Sequence, residues 1–116
     1  MNNEKIFVMP FSKVYPCLYA KAERKGRTKE EVDEITSWLT GYGKDEIRSL
    51  VNSDITYGDF FRKAPCFNEN RKKITGTICG IRVEEIVDPL MQEIRYLDKL
   101  VDELVKGKSM EKILRK

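Results

Sequence analysis

The chain of 116 residues contains no histidine. Histidine has the unperturbed pKa nearest physiological pH and is the commonest protein metal ligand. Its absence excludes a Ser-His-Asp triad, a Cys-His pair and any histidine-containing zinc site. Cysteine is scarce as well. Cys17, Cys66 and Cys79 are odd in number, far apart and form no C-x-x-C. That excludes a disulfide framework and a zinc ribbon, and it reads as buried or incidental reduced thiols. No apolar run approaches the roughly 18–20 residues that span a bilayer. The start, Met1-Asn2-Asn3-Glu4-Lys5, has neither the basic n-region nor the long apolar h-region of a signal peptide. A cytoplasmic protein with no membrane partner is expected.

Hydrophobic residues make up 41% and charged residues 35%, so a real core coexists with a heavily charged surface. The length fits one helical domain over residues 1–116. A formal net charge of +3 is too small to imply a nucleic-acid or membrane partner, so local clusters matter more than the total.

The clearest helix lies near the C-terminus. Asp88 is a good N-cap, and Pro89 suits the first helical position, where its missing N–H costs nothing. Leu90, Ile94, Leu97, Val101 and Leu104 follow in four- and three-residue steps, and Leu100 and Val105 widen the stripe. Asp102 and Lys106 stand in the favourable i, i+4 order, and Gly107 ends the helix. Ser109 caps one more short helix. Thr28 and Glu31 form a capping box, followed by Val32, Ile35, Trp38 and Leu39 and a stop at Gly41. Pro16 opens a helix that closes at Gly26. Ile47, Leu50 and Val51 mark a short helix between Gly43 and Asn52, and Thr56 with Asp59 caps another before Pro65.

Two stretches resist this scheme. Ile6-Phe7-Val8-Met9, stopped by Pro10, reads as an edge strand. Ile74–Val83 is β-branched with two glycines, and reads as either a strand or a tight turn. At most one small β pairing is expected between these segments. The fold class is mainly α: a compact bundle of about five or six helices with one short β pairing at most. The helix from Pro89 to Lys106 is its spine.

Three stretches carry a family likeness. They are Val14-Tyr15-Pro16; Lys21 to Thr28 running into Trp38-Leu39-Thr40-Gly41-Tyr42; and Thr75-Gly76 through Cys79-Gly80 and Arg82-Val83-Glu84-Glu85-Ile86 into Asp88-Pro89 and on to Leu100. Together they resemble the bacterial domain-of-unknown-function family numbered 2200, nearly end to end. The resemblance implies a small bacterial protein and brings no activity, cofactor or catalytic residue with it.

The densest basic cluster is Lys21, Arg24, Lys25, Arg27 and Lys29. Arg62-Lys63, Arg71-Lys72-Lys73 and the run Lys106, Lys108, Lys112, Arg115 and Lys116 add to it. If they converge, they can hold phosphates; apart, they are a solvated face. The helices flanking Gly41-Tyr42-Gly43 have helix-turn-helix spacing, with Lys44, Arg48 and Ser49 as readers, but Asp45 and Glu46 oppose DNA. A plain helical hairpin explains the spacing as well. Glu84, Glu85 and Asp88 form an acidic knot beside Arg82 that can bind Mg²⁺ or do acid/base work, although helix capping also accounts for it. Cys17 follows the presumed helix start at Pro16, where the dipole lowers a thiol pKa. Phe7, Phe11, Tyr15 and Tyr19 are spaced by four, and core packing is the expected use of that ladder.

No catalytic residue, metal or cofactor is assigned. A small non-enzymatic binding or interaction protein is the leading expectation, with an unknown protein partner or a homodimer. A nucleic-acid-binding module comes second, and a carboxylate-based enzyme third.

Overall fold

The helix starts at Lys29, Tyr57, Pro89 and Met110 in the computed structural model, which describes residues 4–115, follow the caps written in the chain. Met1, Asn2 and Asn3 of the opening segment, and Lys116 of the last basic run, lie outside the described residues. The elements are α1 (Glu4–Val8), α2 (Phe11–Glu23), α3 (Lys29–Thr40), α4 (Lys44–Val51), α5 (Tyr57–Arg62), a 3₁₀ turn (Glu69–Lys73), β1 (Thr77–Ile78), β2 (Ile81–Arg82), a second 3₁₀ turn (Val83–Glu85), α6 (Pro89–Val105) and α7 (Met110–Ile113). The fold is mainly α with one small antiparallel pairing.

Side-chain caps fix the helix starts. Thr28 Oγ1 accepts from the Glu31 N–H at 3.1 Å, and Glu31 Oε1 accepts from the Thr28 N–H at 2.9 Å. Asp88 Oδ1 accepts from the N–H groups of Leu90 and Met91, and Thr56 Oγ1 from that of Asp59. Each such cap contributes about 1 kcal/mol. α6 is the spine. Its buried face runs from Met91 through Ile94, Leu97, Leu100 and Val101 to Leu104, and it packs on α2, α3, α5, α7 and β1.

The N-terminal expectation is corrected. Ile6–Val8 are helical, not an edge strand, and the β contact forms at the kink that follows. Pro10, at φ −62° and ψ 134°, makes an antiparallel bridge with Thr56. The Tyr57 N–H donates to the Met9 carbonyl at 2.7 Å, and the Phe11 N–H to the Ile55 carbonyl at 2.9 Å. α1 then lies on α5 so closely that a Cβ on Gly58 would stand 2.9 Å from the Phe7 carbonyl oxygen.

α2 begins at Phe11, directly after Pro10, and Pro16 lies inside it rather than at its start. A helical proline cannot donate to the carbonyl four residues back, here that of Ser12. The aromatic face outweighs that loss. Phe11 and Tyr15 are fully buried, with ring centroids 4.7 Å apart, and Phe11 stacks on Phe60 at 4.1 Å. Phe60 in turn stacks on Tyr42 at 4.5 Å, so α2, α5 and the α3–α4 connection meet in one aromatic column. The ladder does serve core packing, with Phe7 on α1 and the other three members on α2.

The β pairing is internal to Ile74–Val83 and does not reach Ile6–Met9. Thr77 pairs with Arg82 and Ile78 with Ile81. The two turn residues, Cys79 and Gly80, have φ of 53° and 77°. Two successive positive φ values are what a type I′ hairpin turn requires, and its twist matches that of the strands. Cysteine in the first position hides a signal that asparagine or aspartate would display.

Candidate functional site

Arg27 is the residue on which the arrangement turns. It sits just before α3, and its Nη2 lies 2.7 Å from Glu31 Oε2. Its Nη1 crosses to α6 and donates to the carbonyls of Leu104 and Lys108, both at 3.2 Å. Those carbonyls belong to the end of α6. There the Lys108 N–H returns to the Glu103 carbonyl and the Gly107 N–H to the Leu104 carbonyl, with Gly107 at φ 93°. That pair of bonds is the Schellman termination. The guanidinium therefore docks the α2–α3 turn against the α6–α7 turn. Its hydrogen bonds hold the Glu31 carboxyl below the usual carboxylate range, and Glu31 raises Arg27 in return.

This docking brings the turn that carries residues 21–29 against the turn that carries residues 106–115. Residues 21–29 and 106–115 together hold nine Lys or Arg against two Glu, and Glu31, Asp102 and Glu103, which pair with them, lower the surplus to four. The whole chain carries only +3, so the remainder is close to neutral. Arg24, Lys25 and Lys112 are exposed and, among the described residues, pair with no carboxylate. Lys21 is exposed, and its charge lowers the Asp98 carboxyl, although burial raises that group overall. Lys29 Nζ stands 5.6 Å from the centre of the Tyr19 ring. Lys106 pairs with Asp102 at 3.0 Å. Arg115 pairs with the buried Glu103 at 2.7 Å, and Lys108 with the same oxygen at 3.7 Å. Glu103 Oε1 has no partner among the described residues. A concavity of about 600 Å³ opens beside these groups, lined by Lys99, Asp102, Glu103, Lys106, Lys108 and Lys112.

A second concavity of about 600 Å³ has the opposite sign. Glu46, Asp54 and Asp59 line it with Lys63, on walls that include Tyr42, Leu50 and Ile55. Burial beside Glu46 pushes the Tyr42 phenol up to about 12.

A family model for uncharacterised proteins conserved in bacteria, DUF2200, matches residues 5–115. The chain belongs to this family. The DUF2200 fold here is also similar to that in the crystal structure of the uncharacterised protein SP1917. The two are 54% identical with a TM-score of 0.94, covering 97% of this chain and 93% of that one. No match is found among curated proteins.

Other sequence candidates in this DUF2200 chain occupy structural posts. Glu84 accepts from the Gly76 N–H at 3.0 Å, and backbone N–H groups hold its carboxyl low. Asp88 is consumed as the N-cap of α6, and Glu85 is exposed. Among the described residues, no group of three or more cysteine, aspartate or glutamate side chains is arranged to hold a metal ion. Cys17 lies in the middle of α2, not at its start, and its thiol donates to the Lys13 carbonyl at 3.4 Å. All three thiols are free and exposed rather than buried. Arg71 pairs with Glu93 at 2.9 Å and lies over the Phe67 ring, while Arg62 pairs with Asp59.

The helix-turn-helix spacing resolves into a hairpin clamped by its own charges. Arg48 of α4 reaches back to Asp33 and Glu30 of α3, and Lys44 lies 3.9 Å from Glu34. Two of the three proposed readers are thereby engaged with α3.

Asp33 was missed at the sequence level. It is fully buried, and its Oδ1 accepts from the hydroxyls of Tyr15 at 2.8 Å and Tyr19 at 2.7 Å. Thr36 Oγ1 lies 2.8 Å from the same Tyr15 oxygen. Burial first, then hydrogen bonding to a carboxylate and its charge, raise both phenols far above their ordinary range. An acid beside Val32 on a helix stripe was the available signal. Its partners, on α2 and α4, were not readable.

Proposed function

We propose that this DUF2200 protein is a binding protein whose working surface is the basic junction of these two turns, α2–α3 and α6–α7, and that its ligand is a phosphate-bearing polyanion of the nucleic-acid type. One observation carries the reading: Arg27 bridges Glu31 to the Lys108 carbonyl and so joins the two basic runs. Separated in sequence, each run is an ordinary solvated face. Joined, they place a surplus of four positive charges at one junction, on a chain whose net charge is only +3. Such segregation steers polyanions and releases counterions when phosphates are neutralised.

The apolar surface gives less support to a protein partner. The large exposed apolar side chains are Val8, Met9, Ile81 and Val87, in two short stretches of sequence. Singly scattered apolar residues are normal on a monomer.

The test is fluorescence anisotropy with mixed-sequence DNA and RNA at low and at physiological salt. Binding that weakens steeply with salt, and is lost on Arg24→Ala with Lys25→Ala, supports the reading. Arg27 is left intact because its loss would disturb the docking itself. Absence of binding at low salt overturns it.

A further inference from the structure

Resting on that polyanion reading, we infer that the concavity beside the α6–α7 turn is a seat for a phosphomonoester, the terminal phosphate of a nucleic-acid strand. The charge count points this way. Four lysines, Lys99, Lys106, Lys108 and Lys112, face two carboxylates, Asp102 and Glu103, leaving an excess of two positive charges. A phosphomonoester carries about −1.5 to −2 at neutral pH, whereas a backbone diester carries a single charge.

The lysines differ in their freedom. Lys99 donates to the Thr77 carbonyl at 3.2 Å and lies 4.0 Å from Asp102, so it is anchored. Lys106 is held 3.0 Å from Asp102, though its side chain is 71% exposed. Lys108 makes only a loose 3.7 Å pair with Glu103, and Lys112 is unpaired among the described residues. Lys108 and Lys112 are therefore the ammonium groups available to a dianion. Ammonium groups act as compact point charges with rotatable donors, which fits a tetrahedral phosphate approached from several sides. Across the Arg27 junction, the exposed Arg24 and Lys25 take the phosphates that follow.

The experiment compares single strands of one mixed sequence carrying a 5′-phosphate, a 3′-phosphate or hydroxyls at both ends, each labelled internally. The expected result is about tenfold tighter binding for at least one phosphorylated end, equal to about 1.4 kcal/mol. Lys108→Ala with Lys112→Ala should abolish the difference between that strand and the hydroxyl strand, while both bind more weakly because two charges of the basic surface are gone. A nucleoside monophosphate should compete for the extra affinity alone, which separates the end group from the strand. Equal binding of all strands overturns the terminal-phosphate seat and leaves the polyanion reading standing. No binding of any strand overturns both. Both lysines are exposed, so the double variant should keep its circular dichroism spectrum and melting temperature.

Discussion

Arg48 Nε lies 3.0 Å from Oδ2 of Asp33, a carboxylate with no solvent exposure. The other oxygen accepts from Tyr15 and Tyr19. Removing the acid takes the acceptor from Tyr19, leaves the buried Tyr15 phenol with Thr36 alone and leaves Arg48 with Glu30 alone. Asp33→Ala should therefore destabilise the fold by about 3 kcal/mol, read as a lower urea midpoint. Tyr19→Phe should cost about 1 kcal/mol, because the other donors remain. Equal losses for the two variants would mean that the network contributes little beyond packing.

Tyr57 offers the opposite case. It is 1% exposed, yet its hydroxyl has no partner among the described residues. Tyr57→Phe removes an unsatisfied polar group while keeping the ring that packs edge-on against Phe61. It should raise stability by about 1 kcal/mol at neutral pH, measured by urea unfolding. A destabilised variant would point to a partner for that hydroxyl.

Alkaline pH should unfold the protein through the same phenols. Burial raises Tyr15 and Tyr57 well above the ordinary value of 10.0. An acid with a raised folded pKa contributes stability that is whole below the unfolded pKa. That contribution declines as pH rises from the unfolded value toward the folded one. Stability should fall above about pH 10, and Tyr57→Phe should reduce the steepness of the fall in a titration followed by circular dichroism.

Acid acts through Arg27 and Glu31 with the reverse sign. The folded Glu31 pKa is depressed below 4.5, so its contribution is present above that value and is lost as pH falls through the folded one. Arg27→Ala should remove that acid-sensitive part. It should also cost about 2 kcal/mol at neutral pH by releasing the bonds to Leu104 and Lys108. Thermal melts at neutral and acidic pH would check both effects.

Gly41→Ala should be among the most damaging single-methyl additions. The residue ends α3 at φ 85°, and a Cβ there would meet the Cys66 carbonyl oxygen at 2.7 Å. Strain at positive φ and the backbone clash add, giving a loss of about 2–3 kcal/mol in chemical denaturation.

Local chemistry made much of the fold legible. Thr28 with Glu31, Asp88 with Pro89, and Gly107 each act within a few residues, so the sequence carries the whole device. Pro10 and Pro16 misled because their roles depend on distant partners. Pro10 is held by Thr56, and Pro16 is tolerated because Phe11 and Tyr15 bury against α5 and α3. The basic clusters were visible, but their union was not, since it needs Arg27 to meet a carbonyl 81 residues away. Asp33 was hidden for the same reason: its donors come from two other helices.

The exposed thiols, none in a disulfide, have a practical corollary. At Cys79 the turn needs a positive φ and not a sulfur atom, so asparagine, which tolerates that conformation, should serve there. Serine can replace Cys17 and Cys66, whose side chains are exposed. The resulting thiol-free chain would accept a single new cysteine beside Lys25 or Lys112. A fluorophore or spin label could then report distances across the docked turns from one chosen point.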